Sequence, residues 1–104
     1  MISRENIESY YFLFDDKYKR LSRQFESDLP DFQSHAEATA FFKNIFGDSF
    51  ILKSSDVING REIYFHTIIH NREAWESNNM DSEEYMISTQ DVQIWSSGSV
   101  HMIF

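Results

Sequence analysis

His66 and His70, four residues apart, with Glu73 three further on, come nearest to a metal-binding pattern in this chain. On a helix, side chains at i and i+4 stand one turn apart on one face, where two imidazoles can chelate a zinc ion. On a strand the same residues still share a face, but four steps of about 3.3 Å separate them by roughly 13 Å, too far for one metal. The chemistry therefore turns on the conformation of residues 63–70. "IYFHTIIH" is rich in β-branched and aromatic residues, and Asn59-Gly60 just before it is the strongest two-residue hairpin signal. The strand reading wins, so neither a metal nor a cofactor is expected, and His66 and His70 become a spaced polar row on an open sheet face.

Other reactive groups lack partners at useful spacing. Asp15-Asp16 and Glu83-Glu84 are adjacent carboxylates, which point in different directions on a helix or strand and so form no evident acid/base pair. No G-x-S-x-G elbow surrounds a serine. The glycines at 47, 60 and 98 fall at a helix stop or at turns, leaving none for a phosphate-cradling loop. With no cysteine there is no disulfide frame and no thiolate ligand or nucleophile. The expectation is a protein that is not an enzyme.

The elements that would carry these residues follow from periodicity and punctuation. Ile7, Tyr11, Phe14, Tyr18, Leu21 and Phe25 recur with spacing 4-3-4-3-4, which predicts a long first helix capped by Ser3 and broken before Pro30. Ser34 and Glu37 make an S-x-x-E capping box; Ala38, Phe41, Phe42, Ile45 and Phe46 then fall on one helical face, and Gly47 stops that second helix. "SFILKSSDVI" and "REIYFHTIIH" flank Asn59-Gly60 and predict a hairpin. A two-residue loop sets Ile58 opposite Arg61, Ser54 opposite Phe65, Leu52 opposite Thr67 and Phe50 opposite Ile69. That register collects Phe50, Leu52, Ile63, Phe65 and Ile69 on a buried face. The other face then takes Lys53, Glu62, Tyr64, His66 and His70, with Lys53 across from His66. "EYMIST", "DVQIW" and, after the turn "SSGS", "VHMIF" are further strand material, and Asp81-Ser82 is an alternative start for a short helical turn. The expected fold is α+β, one domain over residues 1–104. Two N-terminal helices pack on one face of an antiparallel meander of about four strands.

Charge narrows the choice of partner. The formal net charge is −8: residues 1–53 hold nine acids and seven bases, residues 54–104 eight acids and only Arg61 and Arg72. Such a chain repels phosphate backbones and acidic membrane surfaces, so neither nucleic acid nor membrane is an expected partner. The segment "MISRENIESYY" has charges where a signal peptide needs an apolar core, and a cytoplasmic location is the default expectation.

Aromatic residues make up 16% of the chain, and because each buries a large area a small domain can gain stability from few of them. In "SYYFLF", Phe12 projects about 140° from Ile7 on a helical wheel, off the apolar stripe. Motif poverty, skewed acidity and surplus aromatics together suggest a small acidic protein-binding module. It would act by surface occlusion of a protein with a basic surface, as an inhibitor or immunity-type factor encoded by bacteria, phage or other mobile elements does. The expected contact residues are Phe12, Glu73, Trp75, Glu76, Asp81, Glu83, Glu84 and Tyr85. Charges there would speed encounter while the aromatics supply affinity. Two alternatives are a small-molecule or enzymatic pocket between the first helix and the sheet, lined by Tyr11, Tyr18 and Tyr64, and a homodimer joined through Phe12.

Overall fold

In the computed structural model of the chain, which describes residues 2–14, 18–77 and 88–103, Ser34 caps a helix as its sequence context predicts. Its Oγ accepts the Glu37 N–H at 3.1 Å, and α2 (His35–Phe46) runs from there to Gly47. Two shorter helices, α1 (Arg23–Ser27) and α3 (Arg72–Ser77), flank it in sequence. α2 turns Ala38 and Phe42 fully inward.

The Asn59-Gly60 hairpin is also present, joining β3 (Phe50–Ile58) to β4 (Arg61–Ile69). Both turn residues have positive φ, 54° and 78°, the geometry of the type I′ turn that Asn-Gly favours. With β5 (Thr89–Trp95) and β6 (Val100–Met102), the pair makes an antiparallel meander in the order β3-β4-β5-β6. The expected register holds from Ile58↔Arg61 to Ser54↔Phe65 and then slips. Lys53 is an extra residue in β3, so Leu52 faces His66 and Phe50 faces Ile68, where a continuous ladder would have given Thr67 and Ile69.

That bulge helps reverse the expected faces. Phe50 pairs with Ile68, and both join the core under α2. Tyr64, His66, Ile68 and His70 alternate along this covered side, and His66 is 3% exposed. Ile63 and Ile69, expected in that core, are buried on the opposite side of β4 with Thr67. Both sides of β4 carry apolar residues, so alternation alone did not decide which one α2 covers. Phe42 decides it by stacking on Phe50 with ring centroids 5.1 Å apart.

The predicted first helix does not form. Residues Ile7–Tyr10 make a single 3-10 turn, followed by β1 (Tyr11–Phe14) and β2 (Tyr18–Leu21), a separate two-stranded antiparallel sheet that leads into α1. "YYFLF" is the physical reason: aromatic side chains lose rotamer freedom against a helix turn and pack well on a pleated strand. Leu21 and Phe25 of the predicted stripe still enter the core, delivered by a strand and α1, and Tyr10 joins them from the 3-10 turn. Phe25 is fully buried, its ring edge-on to Tyr10 at 5.8 Å and to Phe42 at 6.0 Å. One N-terminal hairpin and one long helix therefore stand where two long helices were expected.

Gly98 locks the β5–β6 turn against the start of α2. Its φ is 97°, and a Cβ there would lie 2.6 Å from the Phe32 carbonyl oxygen and 2.8 Å from the Ser34 nitrogen. Only glycine allows backbone to approach backbone so closely. The His35 N–H donates to the Ser96 carbonyl beside it, which ties α2 to the sheet.

Candidate functional site

The β1–β2 hairpin is fixed at its base. The Gln90 side chain, 2% exposed, clamps Leu21: its Oε1 accepts the Leu21 N–H at 3.0 Å and its Nε2 donates to the Leu21 carbonyl at 3.3 Å. Arg20 Nη1 donates to the Thr89 carbonyl at 2.9 Å, and the Ser22 N–H donates to the Tyr10 carbonyl at 2.8 Å. Tyr10 donates its hydroxyl to Asp28 at 2.7 Å, which raises the phenol pKa and lowers that of the carboxyl. Tyr11 lies edge-on to His70 at 5.3 Å; burial, then the Glu8 charge, push its pKa up to about 12, so its hydroxyl stays protonated.

The next two residues of β1 are open to solvent. Phe12 is 46% exposed and Leu13 56%. As neighbours on a strand they point to opposite faces, so at this level neither face of the hairpin is covered. A two-stranded hairpin has little stability of its own in water, so the anchoring at its base is what holds these two apolar side chains in place.

α3 leaves the same end of the sheet. It follows directly on His70, against which Tyr11 packs, and its first turn carries Glu73. Glu73 and Glu76 are exposed, with Glu76 Oε1 3.7 Å from Arg72 Nη1. Trp75 is half-buried, and the Arg72 guanidinium lies over its ring at 5.7 Å. Of the expected contact residues, then, Phe12, Glu73, Trp75 and Glu76 flank one end of the sheet. Asp81, Glu83, Glu84 and Tyr85 lie outside the described residues, as do Asp15-Asp16, Asp81-Ser82 and most of "EYMIST".

The histidines are not a solvated row. His66 is stacked on Phe50, ring centroids 4.5 Å apart, and its Nε2 lies 3.4 Å from Nε2 of His35 on α2. His35 in turn stacks on Tyr64 at 3.7 Å and bonds to the Thr39 hydroxyl at 3.2 Å. Burial, helped by His35 and Lys43, pushes the His66 pKa down to about 4, while burial lowers that of His35 against the pull of Glu62. His70 donates from Nε2 to Gln90 Oε1 at 2.8 Å, so its buried Nδ1 holds the free lone pair and has no acceptor for a second proton. Burial outweighs that bond and puts its pKa at about 4. Both rings are neutral at pH 7, built into the packing. Lys53, expected across from His66, is the bulged residue of β3. Among the described residues no cluster of three or more His, Cys, Asp or Glu could hold a metal.

The expected tyrosine-lined pocket lacks the helix that was to form its wall. Tyr11 and Tyr64 serve separate contacts with His70 and His35, and the Tyr18 side chain is outside the description. A shallow groove of about 500 Å³ opens instead between Arg61, Trp95 and the serines of the β5–β6 turn. Two features were missed from sequence. Leu13 becomes visible once "YFLF" is read as a strand, because alternation then opposes it to Phe12. His35 has no sequence signal, since only the placement of α2 across β4 brings it to His66. No family model, curated protein or solved structure matches the chain, and no helix among the described residues is long and apolar enough to cross a membrane.

Proposed function

We propose that this chain is a small acidic, non-enzymatic protein-binding module that occludes a surface of a basic partner protein, in the manner of an inhibitor or immunity-type factor. One observation carries the reading: Phe12 and Leu13 expose opposite faces of a hairpin whose base is clamped to the sheet by buried hydrogen bonds. An anchored base and exposed apolar side chains beyond it are what a preorganised wedge needs, because little ordering remains to be done on binding. Charge supports a basic partner, although Arg20 and Lys19 on β2 stand opposite Phe12 and Leu13. Glu73 and Glu76 flank the same end of the sheet, and the chain carries no Lys or Arg after Arg72. A basic surface would be drawn in by these carboxylates and held by the two apolar side chains.

The experiment is capture at low and high salt with wild-type protein and the Phe12→Ser/Leu13→Ser double variant, each checked for folding by circular dichroism. A basic protein retained at about 50 mM salt, released near 0.5 M and lost by the double variant is the expected outcome. Equal retention by both proteins, or retention insensitive to salt, would contradict the proposal. Both substitutions are at exposed positions, so the variant's stability should stay within about 0.5 kcal/mol of wild type.

A further inference from the structure

Among the described residues β3 is an edge of the four-stranded sheet, and its residues from Leu52 to Ile58 are all exposed. Leu52, Val57 and Ile58 are 58%, 63% and 43% exposed. A long edge strand with apolar side chains is a template for another strand, and a lysine in a bulge, as at Lys53, is a common way to blunt one. Here the strand also complements itself. Ile51-Leu52-Lys53-Ser54-Ser55-Asp56-Val57-Ile58 is complementary to its own reverse: isoleucine meets isoleucine, leucine meets valine, lysine meets aspartate and serine meets serine. Such a sequence matches a second copy of itself only when antiparallel, which is the arrangement a two-fold axis imposes.

The bulge makes the match geometrically possible. In a regular strand Leu52 and Val57, five apart, point to opposite faces and cannot meet across a two-fold axis. The extra residue at Lys53 puts Leu52, opposite His66, and Val57, opposite Glu62, on the face that carries α2. By the same shift Ile51, opposite Thr67, and Ile58, opposite Arg61, share the other face. Main-chain directions agree. A two-residue turn makes Ile58 and Arg61 a bonded pair, so Val57 and Ser55 aim their N–H and C=O groups at the free edge. The Val57 N–H is held at 2.7 Å by the carboxylate of Asp56, its own neighbour.

We infer that two copies of this chain join β3 to β3 antiparallel about a two-fold axis at Ser55, continuing two four-stranded sheets into one. Leu52 then faces Val57 of the second copy on the α2 side, and Ile51 faces Ile58 on the other. The Val57 N–H passes to the Leu52 carbonyl of the second copy, which frees the Asp56 carboxylate to meet Lys53 of that copy. The interface uses none of the β1–β2 hairpin, so the dimer would present two such hairpins, and its existence does not depend on what they bind.

Sedimentation equilibrium of the isolated protein from about 1 µM to about 1 mM tests the pairing without any partner. Wild type should dimerise in this range. Lys53→Asp and Asp56→Lys each remove two opposite-charge pairs and create two like-charge pairs, so each should weaken the dimer by about tenfold or more. The double reversal, Lys53→Asp with Asp56→Lys, restores the pairing and should recover most of the loss, which a folding defect would not. Val57→Lys should abolish the dimer. Wild type that stays monomeric throughout, a dimer unaffected by Val57→Lys, or a double reversal no better than the singles would each overturn the inference.

Discussion

The molecule contains two β-hairpins held in place by different means. β3–β4 has nine-residue strands, a two-residue turn with both residues at positive φ, and β5 paired along the far side of β4. Main-chain ladders on both sides of β4 integrate it into the sheet, with the Thr67 hydroxyl donating to Asp91 of β5 at 2.9 Å. β1–β2 has four-residue strands and pairs with no third strand among the described residues. Its place depends on side chains: Gln90 on Leu21, Arg20 on the Thr89 carbonyl, Tyr10 on Asp28. A hairpin held through its base by a few buried polar groups can keep its far end free, whereas one held along its length cannot. The difference leaves Phe12 and Leu13 of the short hairpin exposed and gives the long one the load of the core.

The contrast can be broken most severely at Phe25, which sits between the Tyr10 ring and those of Phe42 and Phe46. Phe25→Ala should cost about 3–5 kcal/mol in denaturant unfolding, because a fully buried ring is lost from the joint between the short hairpin and α2. Acid acts on both hairpins at once. His66 and His70 each have a folded-state pKa of about 4 against 6.5 when free, so the unfolded chain binds more protons between those values. Stability from the neutral rings is therefore present in full above about pH 6.5 and is lost as pH falls towards 4, by about 3 kcal/mol for His66. Thermal unfolding across that range should show the fall, and His66→Phe, which keeps the stack on Phe50, should flatten part of it. At the small end, Phe12→Ser with Leu13→Ser should leave the melting curve almost unchanged and alter only binding.

The parts legible in sequence are those encoded locally. Ser34 and Glu37 cap α2 because an N-cap needs only its own third neighbour, and Asn59-Gly60 sets a turn because few other pairs accept two positive φ angles. The bulge at Lys53 has no such mark, since one extra residue leaves composition and alternation locally intact. That single residue helped send His66 to the covered side of β4. Residues 7–25 misled for another reason. Spacing of three and four fits a helical stripe, while "YFLF" fits a strand equally well, and packing on Gln90 and Phe42 chose between them. In the candidate site Phe12 stood out as an aromatic off the stripe. Leu13 did not, because its exposure exists only once β1 is a strand.

Native-state hydrogen exchange, read amide by amide, tests most directly whether the short hairpin is fixed at its base and open at Leu13. In wild type the Leu21 and Ser22 amides should be protected nearly as well as those of β4, with Leu13 exchanging at least ~100-fold faster. Gln90→Leu strips the buried Leu21 N–H and carbonyl of their partners, at a cost of about 1–3 kcal/mol, and should bring Leu21 and Ser22 to the rate of Leu13 while β3–β4 stays slow. Leu13 as protected as Leu21 in wild type, or Leu21 unchanged by Gln90→Leu, would contradict the hairpin clamped at its base and open at Leu13 on which the binding function rests.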